Sequence, residues 1–516
     1  MTRLTLPVYR VSESMFLTKT WPTTDSRILS HRGYAIRKDA LTPAETRRLR
    51  EALTVAPAAP PGFAKGADPF PIYYESPTRW YVPRFWGLNN CGIPDGDARQ
   101  PGLPLPAHLT FAKELRPQQQ EIVAAFRSTA PTTGAATATG TDTETKTNAD
   151  NGLICVPCGY GKTFMAIWLA VAIGRRFLVV VHQEFFLDQW RKELEGAIPG
   201  VRVGKLQGSK AELDPTRFDV TICMLQTLCS RDWPLDTFSG YGFAIFDECH
   251  HLGAEHFSKA LMSIQTLKML GLSATPDRQD GLTDVFLNYL GPVRYQIRIR
   301  EPDETVEVRV LRFSSADTAY ATEPTDCRGE VSRPLLCNQL AAYEPRTLAI
   351  VDELAPLVAE GRQLLILSDR RGHLEAFDAA FRARGFTDIG FYVGGMKQAA
   401  RDVSATRQIV LATYTLSSEG LNIKTLSAVA LVTPKSNIEQ SVGRIFRLKK
   451  EERQFHPVIF DVEDVHDCLK GQLQKRLRFY RQCAYQIRLK KDHRGYLSWR
   501  EAKEKEEKPS GPLFHS

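Results

Sequence analysis

The chain lacks any run of about 18 apolar residues. Its best stretch, Phe164–Ile173 (FMAIWLAVAI), is too short to cross a bilayer. The first thirty residues have no apolar leader and mix Arg, Lys, Thr and Ser with Glu13 and Asp25, unlike a secretory signal. The ten cysteines lack regular spacing, which suits free thiols in a reducing compartment. A soluble, intracellular protein with no membrane partner is therefore expected. Cys155-x-x-Cys158 has no second Cys or His pair at zinc spacing, so packing explains it better than metal or redox chemistry. His250-His251 is likewise not a metal pair. No short internal repeat exists, which argues against a solenoid or propeller.

Net charge is scarce over most of the length. The formal net charge is +8, and Leu469–Lys508 alone holds 13 Lys/Arg against 5 Asp/Glu, which is also +8. The remainder averages to neutral. Such a stretch fits polyanion contact or a solvated helix equally well.

With 516 residues, the chain is too long for one core. Residues 1–30 show no periodicity and are an N-terminal extension. Residues 31–112 form a small α+β accessory module. Within it, Thr42, Pro43 and Glu45 mark a capped helix over Leu41–Leu53. The aromatic segment Phe70–Gly87 spells a hairpin around Ser-Pro-Thr. From 128 to 152 the chain is Thr/Ala-rich, cannot bury a core, and is a flexible insertion inside a domain. Apolar runs separated by helical patterns then predict two parallel-sheet domains, over 113–298 and 336–490. Between them lies a polar connecting segment, 299–335, and 491–516 is a charged tail. The fold class is thus α/β, with two tandem parallel-sheet domains behind the α+β module.

The stretch Val156–Thr163 (VPCGYGKT) joins a strand (LICV) to an apolar helix, the order a phosphate-binding loop requires. The backbone of Cys158, Gly159, Tyr160 and Gly161 would cradle phosphates, Lys162 would reach the β/γ-phosphates, and Thr163 would ligate Mg²⁺. The usual first glycine is replaced by Val156. Taken alone, a structural glycine turn competes with this reading. Asp247-Glu248, 85 residues after Lys162 and ending the apolar run FAIF, tips the balance. Asp247 would hold Mg²⁺ and Glu248 would orient the attacking water, which makes an ATPase.

DECHH (Asp247–His251) and LSATPDRQDGL (Leu272–Leu282) resemble motifs II and III of superfamily-2 helicases. RPQQ (Arg116–Gln119) resembles the adenine-reading motif. VHQEFFLDQW, MLQTL, ILSDRRGHL, TYTLSSEGLNI and QSVGRIFR resemble motif Ia, the following nucleic-acid contact, and motifs IV, V and VI. With YVPRFWG, GLSATPDRQDGL, YVGGMKQ and TPKSNIEQSVGRIFR, the chain resembles XPB-like DNA helicases and, more nearly, the helicases of large DNA viruses, including the poxvirus transcript-release type, and a related phage branch-migration helicase. In motif V, Asn422 and Lys424 replace the usual Asp and Pro, so a contact through that carboxylate is not expected here.

The resemblance implies two RecA-like domains, with ATP and Mg²⁺ as cofactors. Arg116 and Gln119 would read adenine, and His250, Ser273 and Thr275 would couple the cleft to the strand. Gln226, Thr227, Arg370 and Thr413 would make nucleic-acid contacts. Arg444 and Arg447, three apart on one helix face with Gln440, would act as arginine fingers. The expected activity is that of an ATP-dependent DNA helicase or translocase, 3′ to 5′ by resemblance. Its alternatives are an RNA-directed enzyme of the same motor type and a non-hydrolysing nucleic-acid clamp.

Overall fold

The computed structural model describes residues 16–22, 24–58, 68–128, 149–234, 236–278, 280–297, 301–416, 421, 423–448, 450–491, 495–499 and 501. Most of the 128–152 insertion, the first fifteen residues, Asn422 of motif V and most of the C-terminal tail lie outside these. Among the described residues no helix is long and apolar enough to cross a membrane. The chain divides into two compact units, with the boundary at residues 298–299.

The first unit is built on an eight-stranded sheet. Its order is Lys210–Ala211, Val203–Gln207, Val220–Met224, Phe177–Val181, Phe243–Phe246, Lys268–Ser273, Asn151–Cys155 and Val293–Gln296. Only Lys210–Ala211 runs antiparallel. Phe177–Val181, Asn151–Cys155 and Phe243–Phe246 are buried throughout, as expected of strands covered on both faces. Chain order and spatial order differ. The strand that opens the domain, Asn151–Cys155, pairs with Lys268–Ser273, which in turn pairs with Phe243–Phe246. Three strand ends distant in sequence therefore emerge side by side at the carboxyl edge, where open α/β sheets bind ligands.

The N-terminal residues are fused to this unit. Their five-stranded sheet runs Tyr74–Glu75, Arg79–Val82, Gly33–Arg37, Arg27–Ser30, Gly96–Asp97. Arg27–Ser30 pairs antiparallel with Gly33–Arg37, so the module's sheet begins inside the segment that the sequence pattern leaves as an extension. The capped helix is Pro43–Ala52: Thr42 N–H donates to Glu45 Oε2 at 2.7 Å, and Glu45 N–H donates to Thr42 Oγ1 at 3.3 Å. The aromatic hairpin stops at Val82, and Arg84–Cys91 is a helix. That helix buries Arg84, whose guanidinium donates to the carbonyls of Thr266 and Leu267, each at 3.0 Å, and to Asn151 Oδ1 at 3.2 Å. Tyr289 Oη donates to the Ile72 carbonyl at 2.6 Å. Trp80, Trp86, Leu153 and Phe286 share one core. The module is thus packed into the amino edge of the ATPase sheet.

The second unit has its own eight-stranded sheet: Ile389–Tyr392, Ile409–Thr413, Gln363–Ser368, Leu426–Leu431, Val458–Asp464, Glu307–Phe313, Gln486–Lys490, Leu497–Ser498. Only the last strand is antiparallel. Glu307–Phe313 corrects the sequence pattern, which leaves it in the connecting segment. It is an interior strand, parallel to both Val458–Asp464 and Gln486–Lys490. A second correction concerns the basic stretch, whose interleaved basic and aromatic residues follow a helical pattern over Lys475–Lys491. The helix is Lys470–Gln482, and Ala484 at φ +55° turns the chain into the strand Gln486–Lys490.

Candidate active site

The phosphate loop begins where the buried strand Asn151–Cys155 ends. Val156 N–H donates to the Ser273 carbonyl at 3.1 Å, so this position still belongs to the sheet edge and has no positive φ. A glycine is not needed there. The left-handed positions come later, at Gly159 (φ +94°) and Gly161 (φ +80°). Gly161 caps the helix Lys162–Ile173. A Cβ on Gly161 would stand 2.4 Å from Gln119 Nε2, and that same amide donates to the Tyr160 carbonyl at 2.8 Å. Gln119 Oε1 accepts from Arg116 N–H at 3.0 Å. Gln119 is therefore a brace between the helix Pro117–Arg127 and the loop as well as a candidate base reader. Lys162 folds back, its Nζ donating to the Val156 carbonyl at 3.2 Å and standing 3.9 Å from Glu248 Oε1. Thr163, on the first turn of the helix, is half-buried.

Asp247 and Glu248 follow the buried strand Phe243–Phe246. Glu248 has φ +46°, a conformation a glutamate adopts only under local constraint. Asp247 Oδ2 accepts from Trp190 Nε1 at 2.8 Å, and its Oδ1 from Glu248 N–H at 3.0 Å. Burial, and then the adjacent Glu248 charge, push the Asp247 carboxyl up to about 6, partly offset by Trp190. Burial would raise Glu248 as well. Lys162, followed by the neighbouring histidines, outweighs it and holds Glu248 below the usual carboxylate range. Of the two acids, Asp247 carries the electrostatic strain. Buried Glu248 Oε2 has no hydrogen-bond partner, and His250 Nδ1 stands 3.5 Å away.

Ser273 joins the two edges. His250 Nδ1 and Ser273 Oγ share a hydrogen bond at 3.1 Å, Thr275 N–H donates to the same oxygen at 3.2 Å, and the Ser273 carbonyl holds Val156. His250, Ser273 and Thr275 thus form one polar chain from the carboxylates to the base of the phosphate loop. His251 stacks on His182 with ring centroids 4.0 Å apart. Gln226 Nε2 donates to the His182 carbonyl at 2.8 Å and the residue stays exposed. Thr227 is buried, and its Oγ1 accepts from Gly208 N–H at 2.9 Å. That bond uses the Thr227 hydroxyl as an acceptor and fastens the loop, leaving Thr227 less open to a strand than Gln226.

In the second unit, Arg370 follows the strand Gln363–Ser368 and Thr413 ends Ile409–Thr413, both at the carboxyl edge. Arg370 Nε donates to Asn338 Oδ1, and its Nη1 to the Asp369 carbonyl at 3.2 Å. QSVGRIFR is not one regular helix. A single turn, Glu439–Val442, passes into a 3₁₀ turn, Gly443–Phe446, with Arg447 following it. Gln440 and Arg447 are half-buried. Arg444 is buried, and its Nη1 donates to the Leu421 carbonyl at 2.9 Å, so it braces motif V.

Sequence reasoning missed Trp190 and Arg84. Trp190 lies in the segment resembling motif Ia and Arg84 in the aromatic stretch Phe70–Gly87, where they read as a core aromatic and a surface cation. A tryptophan in motif Ia carrying a lone N–H donor was the available signal for the first. For Arg84 there was none.

A phosphate loop, a strand-end acid pair and a sheet parallel but for one short edge strand define a RecA-like ATPase domain. Comparison with known proteins agrees. Residues 112–278 match the family described as type III restriction enzyme, res subunit. The chain is 29% identical over 466 residues to the "Putative ATP-dependent RNA helicase L396" of Acanthamoeba polyphaga mimivirus, covering 88% of this chain and 85% of that protein. It is 27% identical over 353 residues to an African swine fever virus (isolate Pig/Kenya/KEN-50/1950) protein of the same description, covering 64% and 68%. Over 267 residues it is 30% identical to the DNA 3′-5′ helicase XPB of Mycobacterium tuberculosis, covering 45% and 46%. Residues 112–278 thus carry a helicase-type ATPase domain, and the chain is similar over most of its length to ATP-dependent helicases of large DNA viruses.

Proposed function

We propose that this helicase uses ATP and Mg²⁺ to move along DNA, 3′ to 5′, in replication, repair, recombination or transcription. The observation that carries the reading is the continuous polar cluster of Lys162, Asp247, Glu248, His250 and Ser273 at one sheet edge. The acids fit a divalent cation. Asp247 is held uncomfortably ionised, Glu248 Oε2 is an orphaned buried acceptor, and Thr163 supplies a hydroxyl nearby in the loop. Among the described residues no group of three His, Cys, Asp or Glu could cage a metal alone. That suits Mg²⁺, which takes one or two protein ligands and completes its shell with phosphate and water. When bound, the ion neutralises charge developing on the phosphoryl oxygens. Lys162 binds the same oxygens, Glu248 orients the attacking water, and Gln119 with Arg116 positions the base. In the second unit, Gln440 and Arg447 are proposed to act in ATP hydrolysis. Arg444 supports them by fixing Leu421. Gln226, Arg370 and Thr413 are the proposed strand contacts, and His250, Ser273 and Thr275 relay the nucleotide state.

The DNA assignment leans on the named activity of the mycobacterial relative. The names of the two viral relatives favour RNA, which is the second reading. Steady-state ATPase rates with single-stranded DNA, branched DNA and single-stranded RNA, against a Lys162→Ala blank, decide between them. Stimulation by DNA alone supports the proposal, and equal or greater stimulation by RNA overturns the DNA assignment. Turnover no higher than the blank with every polymer overturns the motor and leaves a clamp.

A further inference from the structure

The 24 residues Cys468–Lys491 contain eight Lys/Arg and no Asp or Glu, so they alone match the formal charge of the whole chain, +8. The structure sorts these cations. Arg476 is buried against Asp461, its Nε 2.8 Å from Oδ2. Lys470, Arg488 and Lys490 pair with Asp467, Glu307 and Glu353. Lys475, Arg478 and Arg481 are exposed, and none has a carboxylate within ion-pair distance among the described residues. Arg481 lies over the Trp499 ring, 5.9 Å from its centroid.

These three recur every third residue on the helix Lys470–Gln482, whose opposite face buries Leu473, Leu477 and Tyr480. Side chains three apart on a helix are neighbours, and like charges at that spacing repel. A solvated face normally interleaves acids to relieve this, and here there are none.

The row also has a direction. Beside Lys475, where the row begins, Arg476 Nη1 donates to the Lys435 carbonyl, beyond the carboxyl end of Leu426–Leu431. At its end, Cys483 accepts from Asp303 N–H and Gln486 donates to Val306, at the amino end of Glu307–Phe313. The cations therefore lead from the carboxyl edge, where Arg370 and Thr413 lie, toward the amino edge of the second unit.

We infer that Lys475, Arg478 and Arg481 form an auxiliary phosphate-backbone tract. It would hold nucleic acid beyond the motif IV and V contacts on the surface of the second unit. This rests on the nucleic-acid motor proposed above. The contacts are to phosphate, so they confer grip without base preference and serve DNA and RNA strands alike.

The test is the salt dependence of binding of a fluorescent 40-nucleotide single strand, as DNA and as RNA. It compares the wild-type chain with the triple variant Lys475→Gln/Arg478→Gln/Arg481→Gln. A second variant, Lys192→Gln/Arg217→Gln/Arg382→Gln, removes the same charge elsewhere, and matching melting curves check folding. Three lost phosphate contacts should make the log–log salt slope shallower by about 2, so the triple variant loses about twenty-fold less affinity than wild type between 50 and 200 mM salt. An unchanged slope, or an equal change in the second variant, overturns the tract. Strand-stimulated ATPase of the wild type, measured separately, reports on the motor. A wild type that binds strands without stimulation sinks that reading, and the slope comparison still decides the tract.

Discussion

Replacing Asp247 with Asn should make stability respond differently to pH, because this carboxylate is ionised against its surroundings. Raising it from 3.8 to about 6 penalises the charged form by about 3 kcal/mol at 1.4 kcal/mol per pH unit. Asp247 keeps some contact with solvent, which screens charge, so about half of that is the working figure. The sign follows from proton binding. Between 3.8 and 6 the folded state holds this proton more tightly than the unfolded chain, so the penalty is full above 6 and fades as pH falls toward 3.8. Integrated from pH 5 to 7.5 and halved, the change is below about 1 kcal/mol. The variant also loses one of two acceptors, for Trp190 Nε1 or Glu248 N–H, but that loss is nearly the same at both pH values. The melting temperature of the variant relative to wild type should therefore rise by about 1–3 °C from pH 5 to 7.5 without nucleotide. Mg²⁺ and a non-hydrolysable ATP analogue should reverse the order. At a ligand concentration of about 100 times Kd the wild type gains about 2.7 kcal/mol, and a chain lacking the cation ligand gains much less. Calorimetric or fluorescence melts at the two pH values, with and without nucleotide, make the measurement. A gap that is flat with pH, or equal stabilisation of both chains by the Mg²⁺–analogue pair, would refute the assignment of Asp247 as the strained cation ligand.

Gly161→Ala places a Cβ 2.4 Å from Gln119 Nε2 at φ +80°, so the Gln119–Tyr160 brace must break. ATP turnover should fall at least about tenfold, an energy of about 1.4 kcal/mol, with a raised KM for ATP in a nucleotide titration. Wild-type KM would argue against a loop set by this brace. In the second unit, Arg346 is fully enclosed, with Nε and Nη2 2.6 and 2.8 Å from the Asp464 carboxylate. Arg346→Met leaves that buried carboxylate without its cation, with Tyr320 Oη still donating at 3.3 Å, so denaturant melts should show about 3–5 kcal/mol of destabilisation, largely recovered in Arg346→Met/Asp464→Leu. If the double variant is no better than the single, the cost is packing and not charge.

The chemistry was legible in the sequence to the extent that it is local. A phosphate loop is a backbone device, and VPCGYGKT declares it in eight residues because the left-handed turns at Gly159 and Gly161 and the helix start at Lys162 must be contiguous. Asp247-Glu248 is legible for a similar reason: strand, acid pair and turn are neighbours in the chain. What spacing cannot report is where a side chain's remaining hydrogen bonds go. Arg444 and Arg447 look equivalent at three apart, yet one is spent on the Leu421 carbonyl. Thr227 looks like a free hydroxyl and is spent on Gly208. The second sheet was harder still. Glu307–Phe313 alternates charge with apolar residues, which suits an edge strand, and its neighbours Val458–Asp464 and Gln486–Lys490 come more than 140 residues later. Its Arg309 and Arg312 tolerate that interior place because Glu307 and Glu463 stand 3.1 and 2.7 Å away. The break after the basic helix was equally hidden, because left-handed turns are ordinarily marked by Gly or Asn and here the residue is Ala484. That turn sends the chain back as a sheet strand, so the helix ends at the amino edge of the second unit. Lys475, Arg478 and Arg481 all precede that turn, and it is the burial of Leu473, Leu477 and Tyr480 on the other face of the helix that lays three ordinary surface cations along the unit as a tract.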